Sequence, residues 1–126
     1  GVDAKNSITI VAGAGNVTTT NVQEGLCKAW CRFNGSDSTV ALDDSLNFSS
    51  ISDHGTGNYQ PVYTNVMSHA EYTASLLFGH VGGSGILRIG NNDMNTNNIG
   101  LVGTDGDQST VQDINRAGCQ VFGDLA

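Results

Sequence analysis

Leu26-Cys27-Lys28-Ala29-Trp30-Cys31-Arg32-Phe33, followed by Asn34-Gly35 and then Thr39-Val40-Ala41-Leu42, is the stretch that decides the fold. Its first eight residues alternate apolar with polar at a period of two, the pattern of a strand with one buried face. Asn34-Gly35 supplies the left-handed residues of a tight hairpin turn, so residues 39–42 are predicted to return alongside the first strand. The same logic extends downstream. Leu46, Phe48 and Ile51 mark another strand whose alternation slips by one residue at Ser49-Ser50, which predicts a bulge. Asp53-His54-Gly55-Thr56-Gly57 turns the chain, and Tyr59, Pro61 and Tyr63 share one face of the strand that follows. Proline cannot donate to a ladder, so that strand is expected at a sheet edge or at a bulge.

Upstream, Ser7-Ile8-Thr9-Ile10-Val11 reads as a strand, residues 12–15 break it, and Val17-Thr18-Thr19-Thr20 resumes extended. Residues 1–25 are short on bulk and read as an attachment arm or first strands, with the main domain over 26–126. Beyond Tyr63, Ser68-His69-Ala70-Glu71 has the form of a helix capping box. The alternation of Tyr72, Ala74, Leu76 and Phe78 with Thr73, Ser75 and Leu77 outweighs it and predicts a turn followed by a strand. Residues 79–85 carry four glycines, Ile86-Leu87-Arg88-Ile89 resumes the pattern, and residues 91–98 read as a polar loop. Strands are predicted over 99–102 and 111–114 around Thr104-Asp105-Gly106-Asp107, and Cys119-Gln120-Val121-Phe122 closes the series. About nine short strands at this spacing predict an all-β, antiparallel β-sandwich, jelly-roll-like or a meander.

Composition agrees. Of 126 residues, 17 are Gly, 13 Asn, 11 Ser, 11 Thr and 9 Ala, and charged residues reach only 13%, too few to coat a helix bundle. One domain of this length buries roughly two-thirds of its chain surface. Five Lys plus Arg against twelve Asp plus Glu give a net charge of −7. Nucleic-acid affinity depends on cationic contacts that displace counterions, so no nucleic-acid partner is expected. No apolar run approaches the roughly 20 residues that cross a bilayer as a helix, so no membrane insertion is expected either. The sequence carries no basic start followed by an apolar stretch, and Gly1 is read as the residue left after removal of an initiator Met.

Cys27 and Cys31, four residues apart on one strand, are separated by about 13 Å and can share neither a disulfide nor a zinc ion. Cys119 can meet either across neighbouring strands; three buried thiols in a reducing cytosol is the reading adopted.

The motifs of catalysis are missing. His54, His69 and His80 each sit in or beside a turn-rich stretch and read as surface histidines, the sharper alternative being a histidine ring around a symmetry axis. Gly82-Gly83-Ser84-Gly85-Ile86 fails as a nucleophile elbow at its fifth position. Residues 93–104 begin like a calcium loop, but Asn98 stands where Gly is needed and Thr104 where a bidentate Glu is needed. Asp43-Asp44 and Asp105/Asp107 are neighbours in sequence, whereas catalytic carboxylates usually face each other across a cleft; they read as turn caps. Asn16, Asn34 and Asn47 begin glycosylation sequons at about the frequency chance gives for this composition. No catalytic residue, cofactor or metal ligand is assigned.

Three stretches carry a resemblance: residues 18–33, TTTNVQEGLCKAWCRF; residues 39–72, with DDSLNFSSISDHGTGNYQPVYTNVM inside; and VFGDLA at 121–126. Together they resemble small virion proteins and tail-fibre domains of marine tailed bacteriophages, marked by an Ala-Trp strand, a Ser-Ser-Ile hairpin around Gly-Thr-Gly and a Tyr-containing return strand. The resemblance implies a non-enzymatic structural protein of the virion, made in the bacterial host cytoplasm: a tail-fibre or knob appendage that attaches to the host surface. Capsid decoration, cementing the head lattice, is its alternative, and a glycan-cleaving appendage the third. It further implies a homotrimer that contacts other tail or capsid proteins and a host-surface glycan. The candidate receptor-contact loop comprises Asn91, Asn92, Asp93, Asn95, Asn97 and Asn98, whose amides suit sugar hydroxyls.

Overall fold

A computed structural model describes residues 9–11, 19–21 and 25–126. β1 (Thr9–Val11) and β2 (Thr19–Asn21) pair antiparallel as a separate two-stranded sheet, with Ile10 opposite Thr20. The remainder of the expected arm over 1–25 lies outside the described residues. The other eight strands form two four-stranded sheets. The first has the order β4 (Leu42–Leu46), β3 (Ala29–Phe33), β10 (Arg116–Phe122), β7 (Thr73–Gly79); the second has β5 (Phe48–Asp53), β6 (Asn58–Tyr63), β9 (Ile99–Asp105), β8 (Gly85–Met94). Every pairing is antiparallel, and the predicted all-β sandwich is the observed architecture. The hairpins β3–β4, β5–β6 and β8–β9 follow chain order, while β10 returns between β3 and β7 and β9 returns beside β6, so the topology is not a simple meander.

The core lies between the sheets. Strand β3 alternates as its sequence predicts: Ala29, Cys31 and Phe33 are buried, Trp30 and Arg32 only half-buried. From the facing sheet come Tyr59, Tyr63, Leu87, Ile99 and Leu101. Phe33 meets Tyr59 edge-on at 5.1 Å and joins the two layers, while Phe48 stacks on its cross-strand partner Tyr63 at 4.8 Å within the second sheet. Such pairs contribute about 0.5–1.5 kcal/mol beyond the area they bury. A register shift between Phe48 and Ser50 is the bulge that the slipped alternation predicts.

Several expectations are corrected. The first hairpin has no two-residue turn: β3 ends at Phe33 and β4 begins at Leu42. Gly35 serves close approach instead, since a Cβ there would fall onto the Tyr59 phenol. Strand β6 is not at an edge, because β5 and β9 flank it. Its pairing with β9 covers Asn58 and Tyr59 and reappears as a bridge from Val62 to Asn98. Pro61 falls in that gap, where its missing N–H costs no ladder bond. Residues 111–114 form no strand. Val111 makes one bridge to Thr104, and fully buried Ile114 plugs the space beside β9, its N–H donating to the Tyr59 hydroxyl and its carbonyl accepting from Gly35 N–H. Cys27 is half-buried rather than buried, its thiol donating to the Ala29 carbonyl at 3.1 Å.

Candidate functional site: grooves on the outer sheet faces

The outward residues of the first sheet fall into two cross-strand rows. Leu77, Gly118, Arg32 and Asp44 form one; Ser75, Gln120, Trp30 and Leu46 form the other. Gly118 has no side chain to fill its place between Leu77 and Arg32, and a Cβ there would collide with the Cys31 carbonyl. The two rows therefore enclose a groove of about 540 Å³, with Trp30 and Leu77 as its apolar walls and Arg32, Asp44, Ser75 and Gln120 as its polar ones. Concave apolar surface with a few placed polar groups is the usual make-up of a ligand site.

The polar groups are only partly engaged. Arg32 Nη1 reaches the Ala117 carbonyl at 3.5 Å, a long contact. Asp44 Oδ1 accepts from Ser45 N–H at 2.8 Å. Ser75 Oγ donates to Gln120 Oε1 at 3.3 Å, which orients the Gln120 amide. A guanidinium, a carboxylate, an amide and a hydroxyl around an indole suit hydrogen bonding to a polyhydroxylated ring whose C–H face lies on the indole.

A smaller groove, about 370 Å³, lies on the outside of the second sheet, where Gly90 and Gly100 leave the surface bare beside Val102. A chain of side chains borders it. His54 Nε2 is 3.3 Å from Gln60 Oε1, Gln60 Nε2 donates to Asn98 Oδ1 at 3.1 Å, and Asn95 Nδ2 donates to the same oxygen at 3.1 Å.

The candidate loop is divided by the structure. Asn91, Asn92 and Asp93 belong to β8, which continues to Met94 and pairs Met94 with Ile99. The turn itself is residues 95–98. It is held by Tyr63 N–H to the Asn97 carbonyl and Met67 N–H to the Thr96 carbonyl, both 2.8 Å, and by the Tyr72 hydroxyl against the Asn95 and Asn98 carbonyls. Asn98 and Asn95 join the second groove through Gln60; exposed Asn97 instead accepts from Thr96 Oγ1 at 2.7 Å.

The acids and histidines do not converge. Asp105 accepts from Thr110 N–H and Ser109 Oγ within its own turn, and the Thr110 bond foremost holds its carboxyl below the usual 3.8. Asp107 accepts from Ser109 N–H, as turn capping predicts. His69 Nδ1 accepts from Glu71 N–H at 3.2 Å, and His80 lies near Gly83 and Gly85. Among the described residues no group of three His, Cys, Asp or Glu is placed to hold a metal ion.

Trp30, Arg32 and Gln120 were legible in part: a tryptophan and an arginine on the polar phase of an alternating strand are a surface signal. Gln120 and the Gly118 gap depend on the β3–β10 pairing, which the sequence does not announce.

No family model, no curated protein and no solved structure matches this chain.

Proposed function

We propose that this chain is a non-enzymatic β-sandwich of a tailed-bacteriophage virion appendage, and that it holds a host-surface saccharide in the groove outside its first sheet. The observation that carries the reading is that groove: one indole, the only tryptophan of the chain, beside a guanidinium, a carboxylate and an amide on the outer face of the sheet. The apolar C–H face of a pyranose buries against the indole, while Arg32, Asp44 and Gln120 reach neighbouring hydroxyls. The phage assignment is supported by the resemblance of residues 18–33, 39–72 and 121–126. A net charge of −7 on a Gly- and Asn-rich chain suits a part displayed in many copies.

The test is an array of immobilised bacterial envelope glycans probed with the intact chain and with Trp30→Ala. Retention on a subset of saccharides, reduced about tenfold or more by the substitution, is expected. Equal retention of both proteins overturns the site, and release of reducing sugar overturns the non-enzymatic reading. Antibody labelling of phage particles addresses location: signal on the tail is expected, and signal over the head makes the protein a capsid cement instead.

A further inference from the structure

Strands β3 and β10 are the two central strands of the first sheet, and their register sets Cys31 directly opposite Cys119. Opposed residues of an antiparallel pair have Cα atoms about 4.5–5.5 Å apart, within the span that a disulfide bridges. The two sulfurs are 3.6 Å apart, and both side chains are buried at 4% and 2% exposure. A covalent bond needs them closer by about 1.5 Å. Both sulfurs lie on the core side of the sheet, so a small oxidant reaches them through local opening of the fold.

We propose that Cys31 and Cys119 are an oxidation site, forming an intramolecular disulfide across the centre of the sheet when the protein meets a peroxide. The roles of the two sulfurs differ. The hydrogen bond the two thiols share foremost holds Cys31 below the ordinary 9.0, while the same bond, together with burial, holds Cys119 above it. Cys31 is therefore the attacking thiolate. Its sulfur takes one peroxide oxygen, the O–O bond breaks, and the departing hydroxide leaves as water with the proton Cys31 gave up. The Cys119 sulfur then attacks the Cys31 sulfenic acid, the S–S bond forms, the S–O bond breaks, and the hydroxyl leaves as water with the Cys119 proton. Two thiols and one hydrogen peroxide yield one disulfide and two waters.

Cys27 is the internal control. It lies four residues before Cys31, ahead of β3 and outside the register that sets Cys31 opposite Cys119, and its thiol is occupied by the Ala29 carbonyl. Lys28, Arg32 and Arg116 place the three cysteines on three separate tryptic peptides. The intact chain is exposed to hydrogen peroxide, its thiols are counted in denaturant, and its unreduced digest is read by mass. The expected result is a fall from three thiols to one and a cross-linked pair joining residues 29–32 to 117–126. The Cys27→Ser variant, altered away from the pair, is expected to lose both its thiols at the wild-type rate. Three thiols surviving, a cross-link that contains Cys27, a disulfide-linked dimer, or retention of both thiols by the variant overturns the proposal.

Discussion

Asn47 carries more of this fold than its size suggests. It sits between β4 in one sheet and β5 in the other, at φ 58°, a left-handed conformation that asparagine tolerates better than most residues. Its side chain then fastens the corner, donating to the Asn65 carbonyl at 3.0 Å and accepting from Asn65 N–H at 2.7 Å. Asn47→Ala loses both bonds and strains the corner, so a cost of about 1–3 kcal/mol is expected in chemical denaturation. Tyr63 behaves in the opposite sense. Its buried hydroxyl has no hydrogen-bond partner among the described residues, while its ring stacks on Phe48. Tyr63→Phe keeps the ring and removes the unsatisfied group, so stability should stay level or rise by about 1 kcal/mol. Tyr59 and Tyr63 also set an alkaline limit. Burial first, aided at Tyr59 by the bond to Asp113, lifts both phenols above the ordinary 10.0. Unfolded chains ionise at that value and folded ones above it, so stability is whole below pH 10 and falls as pH rises beyond it. Melting temperatures measured upward from pH 9 should show this fall, and a smaller one in Tyr63→Phe; an unchanged slope in the variant contradicts the assignment.

At the scale of the element, β3 and β6 were legible because each has one face in the core and the period of two is unbroken. The bulge at Phe48–Ser50 was legible for the same reason: its slip is written in the alternation. The misread segments obey partners distant in sequence. Asn34-Gly35 looks like a hairpin turn, yet Gly35 is there because Tyr59 arrives from the other sheet. Residues 91–94 have no apolar alternation, and they are strand as the continuation of β8, which pairs Met94 with Ile99 beyond a register shift. Ile114 looks like a strand residue and is instead a plug whose backbone is satisfied by Tyr59 and Gly35. The groove follows the same division, since the outward phase of β3 is readable and the gap at Gly118 is a product of pairing. Gly118→Ala tests that gap. The added methyl meets the Cys31 carbonyl, a backbone atom with little room to give, and a loss of about 1–3 kcal/mol in denaturant midpoint analysis is expected. A neutral result would mean that β3 and β10 are not as close there as the register requires.

At the scale of the whole molecule, two loops at residues 80–85 and 106–115 are tied together by Gln112 Nε2 on the Ser84 carbonyl and Val81 N–H on Asn115 Oδ1. They carry Val81 and Val111 at 62% and 51% exposure, apolar surface that a neighbouring copy can cover. If copies of the chain join there as the proposed trimer, light scattering should give three times the mass of 13.1 kDa for the wild type and a single mass for the Val81→Asp, Val111→Asp double variant. A monomeric wild type contradicts that assembly while leaving the groove intact. Trp30, the sole tryptophan, reports on the groove alone. The most direct measurement is the intrinsic fluorescence of the intact chain during titration with a polysaccharide purified from a bacterial envelope that the chain binds. A saturable spectral shift, removed by excess free oligosaccharide and accompanied by no shortening of the polysaccharide, is the predicted result. Binding that leaves the Trp30 emission unchanged would place the saccharide outside the groove and overturn its assignment.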